Sequence, residues 1–284
     1  MPAGVLSEAR RLVGVMMDLD RDNETRAGAI QRVMDLGGPA SFAGYWLMFT
    51  AGWSYELESL ALTYGLDTTP TWTRNDEESR NADKADGLHL LATARGLGTD
   101  LRHLAACTLV DLTGATGYVR VRHQLSHSGW DWLLEHIQNE PCAYYAAQFV
   151  IADPGIAMAK RVELAQHVIL GLRPQDALTT AVEDLLRAPK TPSQHRLALA
   201  LELTEIDADS ERQLNRGHDY LEQLAASEKV AGLHRVQAAE ALLAHAPTRA
   251  TDALASIMNS AHVDPAAREL ARRSLRAAHQ LPGE

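Results

Sequence analysis

The chain is poor in the residues that build sheets and staples. Of its 284 residues, 14 are Val and 7 are Ile; aromatic residues make up 5%, and cysteine appears twice. So few β-branched side chains exclude an all-β fold. Cys107 and Cys142 form no CxxC pair and have no zinc spacing, which leaves two free thiols in a reducing compartment. The aromatic segment Phe42 to Trp53 (FAGYWLMFTAGW) is 12 residues without a charge. A membrane-spanning helix needs about 20, so this run reads as a buried helix. The chain carries no GxxxxGK[ST], GxGxxG or GxSxG motif. Positive charge is also short: 27 Lys and Arg face 37 Asp and Glu, a net charge of −10. That balance argues against broad contact with nucleic acid or anionic membranes. The N-terminal stretch MPAGVLSEARRLVG has no charged segment leading into an apolar one, and we expect a cytoplasmic protein.

What is abundant is alanine, 45 residues, with leucine close behind. Both lead the helix-propensity scale, so the fold class expected is all-α. The two residue types that matter most are distributed unevenly. Twenty-seven of the alanines follow residue 150, while 14 of the 15 aromatic residues precede it. Residues 1–150 carry a net charge of −7 and the remainder −3. A break at Asp153-Pro154-Gly155 divides an irregular, aromatic-rich part, 1–152, from an Ala/Leu-rich part, 153–284.

Punctuation in the second part is regular. Helix starts are predicted near Pro154, Pro174, Pro192, Asp209, Glu228, Pro247 and Asp264-Pro265, since proline suits a first helical turn. Alternate starts recur about every 37 residues, two helices per unit. The units align on an arginine followed by small or apolar residues: Arg161-Val162-Glu163-Leu164-Ala165, Arg196-Leu197-Ala198-Leu199-Ala200, Arg235-Val236-Gln237-Ala238-Ala239 and Arg268-Glu269-Leu270-Ala271-Arg272. Val168, Leu203, Leu242 and Leu275 stand seven residues after each arginine, on the same helix face as the positions three after it. Arg102 and Arg26 open similar stretches in the first part. On these residues the chain resembles the HEAT-like (armadillo-type) repeat family. The resemblance implies α-α hairpin repeats stacked into a right-handed α-solenoid whose curved surface binds a partner. It implies no activity.

Candidate chemistry is sparse. His123 and His127, four apart, share a helix face and are the candidate metal ligands. Gln124 stands where a zincin would carry its general base, with Glu135 and His136 nearby. His218-Asp219 is similar to the paired ligand of the HD phosphohydrolases, with His195 and Asp252 or Asp264 as distant candidates. The flanking Gly217 and Tyr220-Leu221 depart from that pattern. Asn75-Asp76-Glu77-Glu78-Ser79 with Asp83 has the spacing of a terpene-synthase magnesium motif, but it reads better as a helix N-cap. Asp18-x-Asp20-x-Asp22 opens like a calcium loop, yet Ala29 stands where the bidentate carboxylate belongs.

Phe42, Trp46, Phe49 and Trp53 form one helical stripe, and Trp130 and Trp132 follow later. Trp72 lies in the single sizeable polar loop, residues 66–76, where no core demands it. Exposed tryptophans anchor interfaces, so Trp72, Trp130, Trp132, Trp46 and Trp53 are the expected binding residues. The function expected is a non-enzymatic scaffold for a protein or peptide partner, with no cofactor. The alternatives are a metal-dependent hydrolase built on a His/Asp cluster, and a DNA-acting enzyme similar to the HEAT-like-repeat alkylpurine glycosylases. The net charge weighs against the last.

Overall fold

The computed structural model describes residues 3–49, 54–171, 180–205 and 211–280. Among these the chain forms 16 α-helices and one π turn, and no strand. No helix among the described residues is long and apolar enough to cross a membrane. The chain divides into two compact units, Met1–Val150 and Ile151–Glu284. The predicted helix starts at Pro174 and Asp209 lie outside the described residues.

The first unit comprises α1 (Ala3–Met17), α2 (Asn23–Asp35), α3 (Gly38–Phe49), α4 (Ser54–Thr63), α5 (Glu77–Ala92), α6 (Thr99–Thr113), α7 (Ala115–His123), a π turn (Gln124–Ser128), α8 (Trp130–His136) and most of α9 (Pro141–Ala152). Two of these helices, α2 and α5, start on side-chain caps. The Asp22 carboxylate accepts from the Thr25 N–H at 2.7 Å, and that of Asp76 accepts from the Ser79 N–H at 2.8 Å. Both carboxyl groups titrate below the usual carboxylate range, because the charged form holds these backbone bonds. Helix α5 lies between α3 and α6 and also meets α1. Gly87 permits the α3–α5 crossing: a Cβ there would stand 2.6 Å from the Pro39 carbonyl oxygen. Residues 115–128 are helical, first as α7 and then as the π turn.

The second unit comprises α10 (Met158–Leu170), α11 (Thr180–Arg187), α12 (Ser193–Glu205), α13 (Glu211–Ala226), α14 (Gly232–Ala241), α15 (Pro247–Asn259) and α16 (Pro265–Gln280). From α12 on, each helix packs on its sequence neighbour and on the helix after that. Two ladders of side-chain contacts follow. One joins α10, α12, α14 and α16. Gln166 Nε2 donates to Glu202 at 3.2 Å, Ser193 Oγ pairs with His234 Nδ1 at 2.7 Å, and Ser274 Oγ donates to Glu240. The other joins α11, α13 and α15. Glu183 faces Arg216, Arg187 lies over the Tyr220 ring, and Arg249 binds Asp219 and Glu222 at 2.8 and 2.7 Å. The buried apolar residues, among them Leu164, Leu199, Leu203, Ala238, Leu242 and Ala271, fill the space between.

One local arrangement recurs in both units. Arg26, Arg161 and Arg235 each occupy the fourth residue of their helix, α2, α10 and α14. Each donates Nε–H to the carbonyl of the next-to-last residue of the preceding helix. Arg26 reaches Met16 at 3.0 Å, Arg161 reaches Ile151 at 2.5 Å and Arg235 reaches Ala225 at 2.8 Å. Arg102, Arg196 and Arg268 hold the same helical position in α6, α12 and α16. Their Nε atoms are buried as well, without an acceptor in bonding range. A helix leaves its last carbonyls without intrahelical donors, and the guanidinium supplies one from the next helix.

Replacing Arg235 by Met keeps the apolar stem and leaves the Ala225 carbonyl unpaired in the interior. A hydrogen bond to a charged group contributes about 1.5–3 kcal/mol. Urea denaturation of Arg235→Met is expected to show a loss in that range, against almost none for Arg272→Met on the surface of α16. Equal midpoints for the two variants would refute the role given to the buried bond.

Candidate functional site

The first unit presents an aromatic ridge. On α3, Phe42, Tyr45 and Phe49 stand at i, i+3 and i+7 and share one face. The Phe42 and Tyr45 rings are 6.5 Å apart, and those of Tyr45 and Phe49 are 4.8 Å apart. Tyr45 and Phe49 are 37% and 42% exposed, well above what core aromatics retain. Trp72 extends the ridge from the loop, 6.0 Å from Phe42, with the Lys84 ammonium 6.0 Å from its own ring. That distance is at the outer limit of a cation–π contact.

Trp72 is held in place by a strap over the α2–α3 turn. The buried Asp83 carboxylate on α5 accepts from the Thr73 N–H at 2.7 Å and from the Thr73 hydroxyl at 2.6 Å. The Thr71 N–H donates to Ser41 Oγ at 2.9 Å, and the Thr71 carbonyl accepts from the Gly38 N–H at 2.7 Å. The turn beneath needs glycine. Gly37 and Gly38 have φ of 68° and 49°, where a side chain is strained. A depression of about 580 Å³ opens beside the ridge, bordered by Trp72, Thr73, Asp83 and Asp86 with the two glycines. That volume is within the range of small-ligand and peptide side-chain pockets.

The expected tryptophans separate. Trp72 is half-buried at the end of the ridge. Trp46 turns inward and is 6% exposed, while Phe42 and Phe49 from the same predicted stripe remain at the surface. Trp130 and Trp132 are also interior, 6% and 7% exposed. Trp53 lies outside the described residues. Tyr45 and Lys84 were not anticipated. Tyr45 could have been found from its i+3 spacing to Phe42 and i−4 spacing to Phe49.

A second cluster surrounds the π turn. Trp132 stacks on His136 at 4.2 Å between centroids and lies 6.0 Å from His103. His123 and His127 come together as predicted from their spacing, with ring centroids 4.6 Å apart and both side chains exposed. In the second unit, buried His218 stacks on His245 at 5.2 Å. Among the described residues, no three His, Cys, Asp or Glu side chains gather to hold one ion. Burial pushes the Cys107 thiol well above its ordinary value and Cys142 up to about 11, so neither is a thiolate near neutral pH.

No protein-family model, curated protein or solved structure matches this chain.

Burial holds His103 and His218 below the usual imidazole value near 6.5; Arg102 adds to the effect on the first, and His245 and Arg249 to that on the second. The folded state therefore takes up these protons later than the unfolded chain as pH falls. Their contribution to stability is complete above about pH 6.5 and is lost as pH drops through the depressed folded values. Melting temperature is expected to fall on acidification below pH 6.5, and His103→Gln combined with His218→Gln should flatten that dependence. An unchanged pH profile in the double variant would assign the effect to other groups.

Proposed function

We propose that the chain is a non-enzymatic scaffold that binds a protein or peptide through the first unit, and that its helix pairs are HEAT-like repeats of an α-solenoid. The observation that carries the binding reading is the aromatic ridge of exposed Tyr45 and Phe49 with half-buried Phe42 and Trp72, beside its depression. Aromatic side chains at a protein surface offer large apolar area at low entropic cost, which is what interface anchors need. The Asp83 strap supports the same reading. It orders the tryptophan before a partner arrives, so less freedom is lost on binding. The repeat reading draws support from the recurring arginine bond and from the two contact ladders of the second unit, as expected when each pair buries its face against its neighbours.

The hydrolase alternative has less behind it. A catalytic zinc takes three protein ligands, and no such group stands among the described residues. The excess of acidic groups keeps a phosphate-binding role unfavourable.

The strap is tested by Asp83→Asn, which weakens the anchor of Thr73. Proteolysis within residues 66–76 should become several-fold faster while the far-ultraviolet spectrum stays helical; unchanged cleavage would show that the strap does not depend on this carboxylate. The function is tested by affinity capture with the wild type, with Phe49→Ser combined with Trp72→Ala, and with a surface variant of the second unit, Arg272→Ala. A partner retained by the wild type and Arg272→Ala but lost with the ridge variant supports the reading. Partners captured equally by all three proteins refute it.

A further inference from the structure

The structure assigns His123 and His127 as a two-imidazole site for a divalent transition-metal cation. This inference stands apart from the scaffold reading and uses neither the ridge nor the repeats. Three observations carry it.

The first is geometry. On a regular α-helix, residues four apart are offset by about 40° around the axis. His123 ends α7 and His127 lies in the π turn, closed by the Gly129 N–H donating to the Gln124 carbonyl at 2.6 Å. That four-residue spacing keeps them on one face, and the two rings stand 4.6 Å apart at 56°. The second is access, because both rings are exposed while the turn between them is buried at Leu125 and Ser126.

The third is the tautomer. Ser126 Oγ lies 2.7 Å from the Arg122 carbonyl oxygen and 2.8 Å from His127 Nδ1. A carbonyl only accepts, so the single hydroxyl proton goes to Arg122. The His127 contact must then be the ring Nδ1–H donating to Ser126 Oγ. That places the lone pair on Nε2, the free nitrogen available to a metal. Metal-binding histidines are commonly fixed in this way, with the second ring nitrogen donating to a neighbour.

Neutral imidazoles select borderline cations, with copper(II) ahead of nickel(II) and zinc(II). Calcium and magnesium demand oxygen ligands that the pair lacks. No third His, Cys, Asp or Glu completes the set among the described residues, so the other coordination positions are left to water. The stacked pair His218–His245 has no such role, because His218 is buried.

The test is titration of untagged full-length protein with copper(II), followed by calorimetry and electron paramagnetic resonance. One ion per chain is expected, with a spectrum of two coordinating imidazole nitrogens. His123→Gln or His127→Gln should each weaken binding by about tenfold or more, since the second ligand of a chelate binds intramolecularly. Ser126→Ala, which unlocks the tautomer, should weaken it by up to about tenfold. His218→Gln should bind as the wild type does. Two-nitrogen binding that persists within twofold in a single variant at 123 or 127 overturns the assignment, as does its loss in His218→Gln. Circular dichroism of each variant separates ligand loss from unfolding.

Discussion

A helix that ends inside a protein leaves carbonyl groups that its own turns cannot satisfy. In this molecule an arginine from the start of the next helix answers that demand, through a bond from Nε–H to the next-to-last residue of the helix before it. At three junctions the bond ties one helix end to the start of the next helix. The apolar faces of successive helices then meet without a long connection. Burying the guanidinium is tolerated because it is hydrogen-bonded where it goes. The side chains of Arg26 and Arg235 are as buried as the leucines beside them.

What the two units do with this shared device differs. In the second unit the small residues after each arginine allow close helix approach, and the polar side chains outside the core are left to pair across ladders. Among its described residues, Leu170 and Leu233 are large apolar side chains left exposed. In the first unit, bulkier aromatics replace alanine and do not all fit inside. Trp46, Trp130 and Trp132 are absorbed by the core, while Tyr45, Phe49 and part of Phe42 remain outside. The loop that carries Trp72 spends an aspartate, two threonines and two left-handed glycines on keeping that ring in place.

The histidines illustrate a different dependence on context. Spacing alone puts His123 and His127 on one helix face. The Ser126 hydroxyl then sets which nitrogen of His127 carries the proton. His218 is one residue from an aspartate in the chain, yet it stacks on His245 from another helix and lies in the interior. Identical side chains thus differ in access because their surroundings differ.

The sequence by itself determined the helical class, since alanine and leucine dominate and β-branched residues are scarce. It also determined the cap at Asp76 and the position of the loop at 66–76. These depend on local propensity and on backbone bonds spanning a few residues. The arginine register was legible as well, because a repeated side chain at a repeated helical position leaves a pattern in the chain. Which tryptophans face inward was not legible, since a stripe of four aromatics has no marked side until neighbouring helices occupy part of it. Nor was the anchoring of Trp72 by Asp83, ten residues past Thr73 and on another element, or the π turn beneath the paired histidines. Those were decided by packing, where the space left by one helix fixes the orientation of a side chain on the next.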